Sequence, residues 1–228
     1  MIVRQVVRPE TGCMSYLVGD PEAGVAAAVD PMEDPAALVL EASRLGLVIE
    51  RVLETHTHQD HVSGARALGT RLGVRVHLPF KSPARYPHEP IPDDGTIRVG
   101  DAAVRAIHTP GHTPDHMTFV LEDAALVGDC LLVGTVGRAD FYDDGPEELY
   151  QSIFDRILRL SDEVAVYPAH YGPNHGLPED RSTTIGRERR FNDALTQTTK
   201  EDFVRYMVEG WPPKPAGWRE ISERNTSP

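Results

Sequence analysis

Three imidazoles and a carboxylate fall within six residues at His56-Thr57-His58-Gln59-Asp60-His61, directly after the apolar run 48–53. Imidazole and carboxylate donors together suit zinc, iron or manganese. A histidine-rich loop that merely sits in water rarely gathers around an aspartate straight after a buried-type strand. Three further positions extend the pattern. His112 lies in His108-Thr109-Pro110-Gly111-His112-Thr113-Pro114, where Gly111 permits a tight turn and the prolines fix φ, so the imidazole is held rigidly. Asp129 follows the apolar run 125–127, and a metal would remove the cost of burying its carboxylate there. His170 closes Tyr167-Pro168-Ala169-His170, again just past an apolar run. Alone each of the last two is weak; four groups at strand ends are strong as a set. His108 and His116 lack such support and read as hydrogen-bonding or surface residues.

The elements that must carry these residues alternate strand and helix. Residues 1–8, 16–18 and 25–29 read as strands, 35–45 as a helix stopped by Gly46, and 48–53 as a buried strand. A helix follows over 62–72, then a strand over 74–78. Residues 79–96, rich in Pro, Asp and Gly, read as a surface loop. Short strands are expected around Gly100-Asp101 and over 117–121, 125–127 and 164–166. Helices are expected over 146–160, 183–195 and 202–208, followed by a Pro-rich tail at Trp211-Pro212-Pro213-Lys214-Pro215. No repeat and no linker divides the chain, so 1–228 reads as one domain with a short C-terminal helical and Pro-rich extension.

A net charge of -12 makes phosphate backbones and anionic lipid poor partners, and no apolar run approaches the roughly 18 to 20 residues of a membrane span. No nucleic acid and no membrane are therefore expected. Two cysteines, Cys13 and Cys130, are too few for a disulfide scaffold, and the N-terminus reads as a strand rather than a signal peptide, so the expected location is cytoplasmic.

In order and spacing, His56-x-His58-x-Asp60-His61 with His112, Asp129 and His170 resembles the metal set of the metallo-β-lactamase superfamily, over roughly residues 13–195. The resemblance implies an α/β fold, the four-layer αββα sandwich, with the metal at one edge of two sheets. Fold alone does not give a reaction. Gly137-Arg138-Ala139-Asp140-Phe141, Leu149-Tyr150-Gln151-Ser152 and Ser182-Thr183-Thr184-Ile185-Gly186 running into Glu188-Arg189-Arg190-Phe191-Asn192 look like the persulfide dioxygenases. His112-Thr113-Pro114-Asp115-His116 and the Pro-rich tail look like the relatives joined to a rhodanese, although no rhodanese domain is expected here.

That resemblance implies one Fe(II) per chain, with His56, His112 and Asp129 as ligands and catalytic centre, a facial triad that leaves three positions open. His58, Asp60, His61 and His170 then orient ligands and water, or build a second metal site as in zinc hydrolases of the fold, with one or two Zn. The implied reaction oxidises glutathione persulfide, or a similar low-molecular-weight persulfide, with O₂ to sulfite and thiol. Arg138 matches a family position near the substrate, where it would meet a carboxylate of glutathione; a surface salt bridge is the competing role. Tyr171 is the other substrate-binding candidate, one position earlier than the family's usual tyrosine. The alternative function is a glyoxalase II-like binuclear hydrolase of glutathione thioesters. Exposed aromatic residues in the C-terminal segment would permit a homodimer.

Overall fold

A computed structural model of the protein describes residues 1–228 apart from 198, 210 and 212, so Pro212 of the expected tail lies outside the described residues. The first half builds one six-stranded sheet. Strands β1 (Ile2–Arg8), β2 (Cys13–Asp20) and β3 (Val25–Val29) run antiparallel. Helix α1 (Ala36–Arg44) then carries the chain across to β4 (Val48–Leu53), which lies parallel to β3. Helix α2 (Ala65–Leu72) crosses to β5 (Arg75–Pro79), and β6 (Glu89–Ile91) completes the sheet in the order β1-β2-β3-β4-β5-β6. Parallel neighbours need such crossovers.

The second sheet takes β7 (Thr96–Val99), β8 (Ala102–His108), β9 (Met117–Val120) and β10 (Ala124–Gly128). A two-stranded ribbon, β11 (Leu131–Leu132) and β12 (Thr135–Val136), leads to helix α3 (Gly145–Gln151). Strands β13 (Ala165–Pro168) and β14 (Thr183–Thr184) complete the order β14-β13-β10-β9-β8-β7. Helices α4 (Ile185–Phe191), α5 (Lys200–Val208) and α6 (Trp218–Thr226) follow.

Period-two alternation sorts the side chains into three cores. Met14, Tyr16 and Val18 of β2 point between the sheets and meet Val104, Phe119 and Leu126. Leu17, one residue out of phase, meets Leu38 of α1 and Leu68 of α2 on the outer face. In β10, Ala125 and Val127 face outward to Leu149, Ile153 and Phe203. The layers are helix, sheet, sheet, helix, which is the αββα arrangement expected from the sequence.

Four elements differ from the sequence-based expectation. Within 79–96, Glu89–Ile91 pairs with β5; Pro90 is admissible because β6 is an edge strand whose outer side needs no donor. The helix expected over 146–160 starts as α3, widens into a π turn at Ser152–Arg156 and tightens to a 3₁₀ turn at Ile157–Arg159. Ile153 and Ile157 still reach the core. From the π turn, Ser152 Oγ donates to the Pro110 carbonyl at 2.6 Å and Arg156 Nη1 to the His108 carbonyl at 2.8 Å, so it grips the loop leading to His112. Thr183–Thr184 pairs as a strand before Thr184 caps α4, and the tail contains α6, which local pattern did not announce. Among the described residues no helix is long and apolar enough to cross a membrane.

Phe203 is fully buried, its ring 5.5 Å from that of Tyr150 and 6.0 Å from that of Phe154. Phe203→Ala is expected to destabilise the protein by about 3–5 kcal/mol, read as a lowered denaturant midpoint in urea unfolding. A loss below about 1 kcal/mol would mean that α5 does not close the outer core.

Candidate metal centre

Hydrogen bonds between the two sheets draw them together at one edge. Met14 N donates to the Ala169 carbonyl at 2.8 Å, Tyr171 N to the Gly12 carbonyl at 3.0 Å and Met117 N to the Thr55 carbonyl at 2.7 Å. The chain leaves β4, β10 and β13 at this edge, just before His56, Asp129 and His170. His112 comes from the loop between β8 and β9. There Gly111 adopts φ +133°, and a Cβ on it would lie 2.5 Å from Leu149 backbone atoms. Gly128, at φ +50°, keeps a Cβ from meeting His116 Nε2 at 2.5 Å. Both turns therefore require glycine.

His56, His112 and Asp129, all buried, place one donor atom each within 4.8 Å of the others. His56 Nε2 is 3.7 Å and His112 Nε2 3.3 Å from Asp129 Oδ2. The tautomers follow from the opposite ring nitrogens. His112 Nδ1 sits 2.8 Å from the Arg138 carbonyl, which can only accept. Thr55 Oγ1 donates to Asp30 Oδ2 at 2.9 Å and so accepts from His56 Nδ1 at 2.9 Å. Both Nε2 atoms are left with lone pairs facing a carboxylate. His56 Nε2 is buried with no partner, a costly arrangement that a cation resolves. Burial, then the neighbouring imidazoles of His58, His112 and His116, hold His56 well below the usual histidine range, so it is neutral, as a ligand must be. The residues present fit a divalent metal.

The surrounding groups are tied down in turn. Asp129 Oδ1 accepts from His170 Nδ1 at 2.6 Å, and His170 Nε2 donates to Asp60 Oδ2 at 3.0 Å. Burial opposes charge on all three, yet the two carboxylates raise His170 well above its usual range, and His170 holds Asp129 low. His61 Nδ1 also reaches Asp60 Oδ2, at 2.9 Å. His58 Nε2 lies 3.3 Å from Asp30 Oδ1 and 3.4 Å from Glu54 Oε2, within ion-pair range but without hydrogen-bond geometry. These carboxylates raise His58 against the opposing effect of burial. Donor groups also converge at Cys13, His170 and His175, at Cys13, Asp60 and His61, and at Asp30, Glu54 and His58. In the first of these, both His170 ring nitrogens are already taken by carboxylates.

Sequence reasoning missed Asp30, Glu54 and Asp115. Asp30 follows the apolar strand β3, the same strand-end signal that marks Asp129, and orients His56 through Thr55. Buried Asp115 accepts from the Thr57 backbone at 3.0 Å and hydroxyl at 2.6 Å, so it braces the histidine motif. His116 is fully buried; its Nε2 accepts from Asp129 N at 3.1 Å, while burial pushes its pKa down to about 3.

A cavity of about 610 Å³ opens beside His112 and Asp129, walled by Gln59, Arg138, Phe141, Leu177 and Trp211. Arg138 forms a two-pronged pair with Asp140 at 2.7 and 2.9 Å and lies over the rings of Phe141 and Trp211. Tyr171 is absent from this lining. Its ring is packed in the core between the sheets.

Comparison with known proteins places these features. A family model described as the metallo-beta-lactamase superfamily matches residues 8–170. "Persulfide dioxygenase ETHE1, mitochondrial" of Bos taurus is 35% identical over 219 residues, covering 94% of this chain and 84% of that protein. A hydroxyacylglutathione hydrolase of Methylobacterium sp. is 38% identical over 165 residues, covering 69% of this chain and 62% of that protein. The crystal structure of ETHE1 from Myxococcus xanthus superposes with a TM-score of 0.90 at 30% identity, covering 99% of each chain.

The two cysteines diverge sharply. Burial raises the Cys13 thiol, but the neighbouring imidazoles of His170 and His175 outweigh it and bring the pKa to about 6, whereas burial pushes Cys130 far up. Cys13 also touches a cavity of about 360 Å³. Iodoacetamide labelling of the metal-free protein, followed by mass spectrometry, is expected to modify Cys13 with a midpoint near pH 6, its thiolate forming as pH rises. Cys130 stays unmodified until unfolding; equal rates at the two would contradict this assignment.

Proposed function

The chain belongs to the metallo-β-lactamase superfamily, and from its likeness to the persulfide dioxygenases we propose that it is one, oxidising a small thiol persulfide with O₂ and water to sulfite and thiol. The observation that carries this reading is the open three-donor set His56, His112 and Asp129 beside a His170 whose ring nitrogens are both engaged. We assign the metal as one Fe(II) held by these three residues, with glutathione persulfide or a similar persulfide as substrate. Bound there, iron supplies open coordination positions and redox chemistry for a sulfur anion and O₂ together.

The protein's own groups do the rest. Thr55 and the Arg138 carbonyl fix the two imidazoles with Nε2 toward the centre. His170 holds a proton at Nδ1 against Asp129 Oδ1, which leaves Oδ2 as the ligand oxygen. Phe141 and Trp211 give the cavity an apolar wall against which the substrate's sulfur can lie. Arg138, held by Asp140, shapes this wall and stacks over Phe141 and Trp211. A zinc hydrolase of glutathione thioesters is the second reading, favoured by the hydroxyacylglutathione hydrolase relative. It needs Asp60, His61 and His170 to bind a second ion, and therefore needs His170 to give up a carboxylate.

Oxygen uptake by the Fe(II)-loaded protein given glutathione persulfide is expected to match sulfite formed and to fall to background in His112→Ala. No uptake with iron fully loaded, together with S-lactoylglutathione hydrolysis by the zinc form, would replace this reading with the thioesterase.

A further inference from the structure

Helix α6 contains no buried residue, yet it lies against the loop that carries the histidine motif. Its Asn225 makes three bonds to backbone groups of residues 58–63. Nδ2 donates to the His58 carbonyl at 2.9 Å and to the His61 carbonyl at 3.0 Å, and Oδ1 accepts from Ser63 N at 2.9 Å. This stretch is irregular, with neither helix nor strand ladder to pair its backbone. One carboxamide supplies pairing that the loop lacks.

The helix is fastened on both sides of Asn225. Arg85 N donates to the Thr226 carbonyl at 2.8 Å, and Arg224 pairs with Glu33 at 2.9 Å. At its start, the Trp218 ring lies 5.1 Å from that of Phe141, which lies 5.6 Å from His112. The helix thus reaches both ligand-bearing loops, although it falls well beyond the family match at 8–170.

We propose that Asn225 is a positioning residue of the metal centre: its amide fixes the backbone of 58–63 and so holds His56, Asp60 and His61 in register with Asp129 and His170. The proposal rests on the metal-centre reading and is independent of the substrate. Shape alone cannot perform this role, because the Asn225 amide hydrogens point at two carbonyl oxygens. An isosteric carboxylate there would present oxygen to oxygen.

The test uses full-length protein and Co(II) as probe, following its visible absorption and its release to a chelator. Asn225→Ala is expected to weaken Co(II) binding by about 10- to 100-fold, the range for lost outer-shell partners. Asn225→Asp, equal in size, is expected to weaken it at least as much. The melting temperature of each metal-free variant, compared with wild type, separates this effect from unfolding. Asn225→Asp binding within about twofold of wild type would overturn the proposal, since the amide donors would then be idle. Wild-type protein that binds no Co(II) would overturn the metal-centre reading and this proposal together. Wild-type protein that binds Co(II) but whose Fe(II)-loaded form oxidises no persulfide would overturn only the proposed substrate.

Discussion

Asp129 sits at the end of β10 with 5% of its surface exposed. A carboxylate there is tolerable only if charge and donors surround it, because removing one partner of a buried pair costs about 3–5 kcal/mol. One of its oxygens faces His56 and His112, and the other accepts from His170. Each neighbour then needs a fixed origin. His170 follows β13, which runs parallel and adjacent to β10, so strand pairing alone brings the imidazole to the carboxylate. Asp60 closes the far side of His170 and ties in the first sheet. The sandwich edge can be read as scaffolding for one buried negative charge.

The same electrostatics separate residues that are close in sequence. His56 and His58 are two apart, with rings 4.3 Å from one another, yet they answer to different charges. His56 is kept neutral and faces Asp129; His58 is drawn to Asp30 and Glu54. A motif that reads as one ligand cluster is divided by the acids behind it. That division leaves three donors at the centre, and an open coordination sphere is what a persulfide and O₂ would both require.

Much of this was legible in the sequence because the signals were local. Apolar runs ending in His56, Asp129 and His170 announced strands that deliver polar groups to a sheet edge, and the structure brings those groups together. Asp30 carries the same signature after β3 but is a single residue without a neighbouring histidine, so nothing singled it out. Glu54 drew no notice; its pairing with His58 depends on burial, which spacing does not reveal. The π turn at Ser152–Arg156 leaves the apolar phase of Ile153 and Ile157 intact, so periodicity could not distinguish it from α-helix. Helix α6 was hidden for the opposite reason: it carries only two large apolar residues, Trp218 and Ile221, neither of them buried, and its contacts reach back 167 residues in the chain.

Asp30 also carries a cost. Its φ is +49°, a left-handed conformation that aspartate tolerates better than most residues but that still gives up about 1 kcal/mol. In exchange its carboxylate accepts from Thr55 N at 2.7 Å and reaches both His56, through Thr55, and His58. Here the chain has exchanged backbone comfort for order at the site. Glycine at position 30 would relax the backbone yet leave Thr55 N and Oγ1 without their buried acceptor, a loss of about 1–3 kcal/mol for each orphaned donor, so heat resistance and order at the site favour the same strained residue.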